Sequence, residues 1–121
     1  MNYETPNQTE DHGMVYVSGP IHGSGIVEDN VRRAVTCAEE LLLCGYTPIV
    51  PHLNVLWNLI SPHEASFWLL MDYNLLSRCD AVVRLIGESP GSDLEKEWTL
   101  KLGIPYYVAD TPEYQEFLWN H

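Results

Sequence analysis

The chain has 121 residues, 45% apolar and 19% charged, which is the size and make-up of one globular domain with a core of its own. Seventeen acidic residues against six basic ones give a formal net charge of −11, arguing against nonspecific binding to nucleic acid or anionic membrane. Cys37, Cys44 and Cys79 show no CxxC pairing, the histidines have no metal-ligand spacing, and no apolar run of about 18 residues or signal-peptide pattern appears, so a soluble cytoplasmic protein without metal is expected.

Residues 1–13 are polar, acidic and aperiodic and read as a tail, leaving 14–121 as the domain. Met14-Val15-Tyr16-Val17-Ser18 reads as a short buried strand, followed by the glycine-rich loop 19–25. A helix is expected from about Glu28, with Val31, Ala34, Val35, Ala38, Leu41 and Leu42 on one stripe and Gly45 as its stop. Residues 46–50 form a second strand, which Pro48 marks as irregular or peripheral, and 51–54 a loop. Ser61-Pro62-His63-Glu64 has capping-box spacing and starts a helix to about Arg78. The run 81–86 is the third strand, 92–102 a helix closed by Gly103, and 104–108 the fourth strand. Thr111-Pro112-Glu113 opens a last helix holding Trp119. This β-α alternation predicts a small doubly wound, Rossmann-like α/β fold: a parallel sheet of four to five strands with helices on both faces.

In such a sheet three loops, 19–25, 51–54 and 87–92, converge beyond the carboxyl ends of the strands and define the expected pocket. The first loop could let its backbone approach a ligand or could be a tight turn; it matches neither GxGxxG nor GxxxxGK[ST]. Ser92-Asp93-Leu94-Glu95 has capping-box spacing, so Glu95 reads as a capping residue. Its place near a helix N-terminus also suits an ionised, nucleophilic carboxylate. Asp72 interrupts an apolar helix, and helical geometry alone puts it on an exposed stripe. Trp57, Trp68 and Trp98 are expected to fill core volume, His22 and His52 to be polar loop residues, Asp80 a turn residue, and Glu97 a solvated one.

Three blocks together resemble the nucleoside 2-deoxyribosyltransferase-like superfamily, which includes 2'-deoxynucleoside 5'-monophosphate N-glycosidases and short uncharacterised relatives. They are Val15–Gly23, Asp72 with Leu75, Leu76 and Cys79–Val83, and Ser89–Glu95 followed by Gly103-Ile104-Pro105. The resemblance implies an N-glycosidic-bond hydrolase or transferase acting on a (deoxy)nucleoside or its 5'-monophosphate. It implies Glu95 as nucleophile, Asp72 beside it on the sugar, and Tyr16, Gly19, Pro20, Ile21, His22 and Gly23 lining the sugar site. Ser89, Gly91 and Ser92 would hold the 5' group, and Asn54 joins from the second loop. Pro20 and His22 depart from the serine and arginine of the monophosphate hydrolases. No cofactor is implied, and a homodimer or higher homo-oligomer is. The alternatives are a noncatalytic nucleotide-binding or sensing module using the same pocket, and a structural partner in which Glu95 merely caps its helix.

Overall fold

A computed structural model describes residues 11–22 and 25–120; Gly23 and most of the expected tail lie outside them. The elements are β1 (Met14–Ser18), α1 (Val27–Leu43), β2 (Thr47–Ile49), a 3-10 turn (Pro51–Leu53), α2 (Asn54–Ile60), α3 (Ala65–Leu76), β3 (Ala81–Arg84), α4 (Pro90–Leu102), β4 (Tyr106–Val108) and α5 (Pro112–Trp119). The four strands are parallel in the order β2-β1-β3-β4, with Tyr16 opposite Ile49 on one side and Val82 on the other. The fold is the expected doubly wound α/β sheet.

Strand periodicity explains the two cores. Val15, Val17 and Val83 point to one face, where Ala34, Cys37 and Leu41 of α1 and Tyr114 and Leu118 of α5 cover them. Tyr16 and Val82 point to the other, against Leu76 of α3, Cys79 and Trp98 of α4. Burying each such aliphatic side chain stabilises the fold by about 1.5–3 kcal/mol. All three cysteines are free and buried. Pro48, which has no N–H for a ladder, sits on the edge strand β2. Helix α5 starts at the expected cap, where Thr111 Oγ1 accepts from Tyr114 N. Gly103 closes α4 in the left-handed region, with φ of 69°.

Four expectations on the helices are overturned. The expected loop 51–54 is a 3-10 turn running directly into Asn54–Ile60, a helix where none was expected. Ser61 is the residue that closes α2 and caps nothing; α3 begins only at Ala65, after Asn58 Oδ1 has accepted from His63 N and so held the connection non-helical. On α1 the buried stripe runs through Asn30, Ala34, Cys37, Ala38 and Leu41, leaving Val35 and Leu42 exposed. Trp57 is 46% exposed and edge-on to Trp68 instead of filling core. Helix α2 has no buried residue, and α3 has only Leu76. Among the described residues no helix is long and apolar enough to cross a membrane.

Candidate active site

The chain runs from β1 outward to β2 and then returns across to β3, so the strand order reverses between β1 and β3. Crevices at such switch points are where open α/β sheets bind ligands. A cavity of about 200 Å³ lies there, lined by β1, the loop after it, the 3-10 turn, α3 and the first turns of α4.

Glu95 is in this cavity and is 7% exposed. Its position follows from the start of α4. Ser89, in extended conformation, accepts from Ser92 N at 3.0 Å and caps the helix, with Pro90 at the first position. The helix therefore begins two residues before Ser92, and Glu95 falls in its second turn. Both the capping reading of Glu95 and the helix-dipole argument for its charge are thereby corrected.

What Glu95 does instead is span to the central strand. Tyr16 Oη donates to Oε2 at 2.5 Å and Ser18 Oγ to Oε1 at 2.7 Å. Tyr16 and Ser18 are two apart on β1 and so share a face. Hydrogen bonds to a charged group contribute about 1.5–3 kcal/mol each, which offsets the desolvation of a buried carboxylate. Burial still holds the Glu95 carboxyl above the usual range, against the opposing pull of Tyr16, Ser18 and the Arg84 guanidinium. Arg84 braces the loop before α4, bonding Asp93 Oδ1 at 2.7 Å and Gly87 O at 2.9 Å. Burial and the Glu95 and Asp72 charges push the Tyr16 phenol far up, so it remains a donor.

Asp72, half-buried, is on the same cavity, contrary to the exposed-stripe expectation. Its Oδ1 is buried and lacks a partner. Burial and then the Glu95 charge push this carboxyl up to about 7, so near neutrality it exchanges a proton while Glu95 holds its hydroxyl partners. Ser92 Oγ is likewise buried without a partner. With the two ring nitrogens of His52, these make four orphaned polar atoms on residues lining one cavity, which a polar ligand would satisfy.

Of the other expected residues, Tyr16, Gly19, Ile21, His22, Ser89, Gly91 and Ser92 line the cavity. Gly19 is required by packing, since a Cβ there would lie 2.9 Å from Leu85 Cβ. Pro20 is fully buried behind the loop and does not line it. Gly23 is outside the described residues, and Asn54 lines an adjoining cavity of about 270 Å³. That second, more apolar space shares Ile21, His22, Pro51, Leu69 and Asp72 with the first and adds Asn58 and Trp68. Together the two reach the size range of small-molecule sites, roughly 300–1,000 Å³. His52 also lines the first cavity; its burial pushes the imidazole down to about 4, against the opposing pull of the Pro20 and Gly19 backbone. It is neutral at pH 7. Asp80 accepts from Met14 N at 2.8 Å, a structural role, and Glu97 is exposed.

Sequence reasoning missed Ser18, Arg84, Leu69, Asn58 and Trp68 as site residues. Only Ser18 carried a local signal, its two-residue spacing from Tyr16 on a strand.

A family profile described as "Domain of unknown function (DUF7768)" matches residues 13–109. The chain belongs to this family. The matched span of the DUF7768 domain holds both carboxylates, both hydroxyl partners and the whole sheet. No curated protein matches the chain. Among solved structures it is similar to the 2-deoxyribosyltransferase of Bacillus psychrosaccharolyticus, with 17% identity, a TM-score of 0.60, and 78% of this chain and 70% of that one covered. It is also similar to a 2-deoxyribosyltransferase from Leishmania mexicana, with 15% identity, a TM-score of 0.58, and coverage of 89% and 73%. At these identities the DUF7768 chain shares their fold.

Proposed function

We propose that this protein cleaves the N-glycosidic bond of a nucleoside, with Glu95 as the nucleophile. One observation carries the reading: a buried Glu95 gripped on both oxygens by Tyr16 and Ser18, across a switch-point cavity from an unpartnered Asp72. The likeness to 2-deoxyribosyltransferases supports it at the level of fold.

A Glu95 oxygen attacks C1' of the sugar as the C1'–N bond breaks, and the bonding pair leaves with the base nitrogen, which takes up a proton. Charge develops on the sugar ring as an oxocarbenium-like transition state, stabilised by the carboxylate. The resulting Glu95 ester is resolved at C1' by water or by a second base, which regenerates the carboxylate. Tyr16 and Ser18 orient Glu95 and accept its loss of charge when the ester forms. Asp72, titrating near neutrality, contacts the sugar and is the group poised to pass a proton to the leaving base. Among the described residues no lysine or arginine lines either cavity, which supports a neutral nucleoside over its 5'-monophosphate. The apolar residues left exposed on α2 and α3, such as Leu56, Leu59 and Leu70, support self-association.

Incubation with a panel of nucleosides and 5'-monophosphates, with and without an acceptor base, tests the reading. Base release or exchange that Glu95→Gln abolishes is the expected outcome. Tight binding without turnover would identify a sensing module instead, and full turnover by Glu95→Gln would remove Glu95 as nucleophile.

A further inference from the structure

The second cavity contains a polar group whose orientation is forced. Asn58 Oδ1 accepts from Trp68 Nε1 at 2.8 Å and from His63 N at 2.9 Å. An indole N–H and a backbone N–H can only donate, so the amide atom they share must be the oxygen. The Nδ2 group is then left with two donor hydrogens to offer, on a half-buried side chain lining a largely apolar space.

The arrangement of residues gives a ligand a direction. Glu95 lines only the first cavity, Asn58 and Trp68 only the second, and Asp72 both. A nucleoside with C1' at Glu95 therefore crosses the Asp72 boundary and extends its ring into the second space, exocyclic edge toward Asn58. The geometry points to Asn58 as a specificity-determining residue that selects bases presenting an exocyclic carbonyl oxygen, the 6-oxopurines and 4-oxopyrimidines, over their amino counterparts. This rests on the glycosidic-bond reading for the direction of the ligand. An exocyclic oxygen accepts from Nδ2, whereas an exocyclic amino group would set donor against donor and forfeit that bond.

The test reads binding apart from turnover. Hypoxanthine, adenine, uracil and cytosine are titrated into the whole chain while the Trp68 indole N–H resonance is followed by NMR, assigned with Trp68→Phe. The same bases as nucleosides are assayed for release. Wild type is expected to bind hypoxanthine over adenine, and uracil over cytosine, by about tenfold, the effect of one mispaired hydrogen bond. Asn58→Asp keeps an oxygen for Trp68 and His63 but turns the free donor into an acceptor, so the order should reverse. Equal binding of oxo and amino bases by wild type, or no binding of any base, overturns the inference even if Asn58→Asp fails to fold. An unchanged order in a folded Asn58→Asp does the same. Reversal of the base order without turnover of any nucleoside would sink the enzyme reading and leave Asn58 as the selector; turnover with an order indifferent to Asn58 would do the opposite.

Discussion

The two walls of the adjoining cavities are built differently. Glu95 stands on a wall made by β1 and α4, where Tyr16 and Thr99 are fully buried and Ser18 and Ser92 are 1% exposed. Helices α2 and α3 form the facing wall, where Leu76 alone is buried and Leu56 and Leu70 are about two-thirds exposed, 65% and 64%. On the first wall the carboxylate has both its oxygens bonded; on the second, Asp72 keeps a buried oxygen with no partner. The difference assigns the tasks. Atoms that must meet C1' need fixed positions, which come from side chains locked by packing and hydrogen bonds. A wall that reads a ring can be shallower and less stable, and binding elements are commonly drawn from the less stable parts of a fold.

The largest expected effect is on the fixed wall. Glu95→Gln should lower turnover by about 10⁴-fold or more, the usual loss for a covalent nucleophile, while the melting temperature holds, measured by single-turnover kinetics and thermal denaturation. Retained turnover would show that the wall is rigid for folding alone. Tyr16→Phe comes next. It leaves one buried carboxylate oxygen short of a donor, which costs about 1–3 kcal/mol of stability and, with orientation lost, about 10–100-fold in rate.

Asp72→Asn tests the other wall, and its sign differs. Asp72 has a folded value of about 7, above the ordinary aspartate value of about 3.9, so the folded state binds more protons between the two. Stability contributed by this group is present below about pH 4 and lost as the pH rises through about 7. Asp72→Asn should therefore stabilise the protein at pH 8, by about 1–2 kcal/mol after allowance for partial exposure, and change little at pH 4. Urea titrations at both values check this. The same substitution should lower the rate and remove the fall of activity above pH 7, while the acid limb from protonation of Glu95 remains. The smallest effect belongs to Leu56→Ala, under about 0.5 kcal/mol, where Leu41→Ala beneath the sheet costs about 2–5 kcal/mol.

The legibility of the sequence divides along the same line. Strand β1, the Thr111 cap and the Gly103 stop follow from residues adjacent in the chain, and the structure has them where local pattern puts them. The bonds that make Glu95 a site join residues 77 and 79 positions apart, and no local spacing encodes them. Ser92–Glu95 even imitates a cap, because the true cap at Ser89 lies three residues earlier with the same chemistry. Helix α2 was hidden because Asn54–Ile60 buries nothing and so shows no one-sided apolar stripe. The orientation of Asn58 depends on Trp68, ten residues away across a helix junction.

A covalent trap puts the most direct question to Glu95. The protein is incubated with a nucleoside carrying fluorine at C2', which slows resolution of a glycosyl ester, then denatured, digested and weighed by mass spectrometry. Release of one base per chain, with the added sugar mass on the peptide containing Glu95, is the predicted result. Base release with no adduct, or with the sugar on any other residue, would contradict Glu95 as the nucleophile.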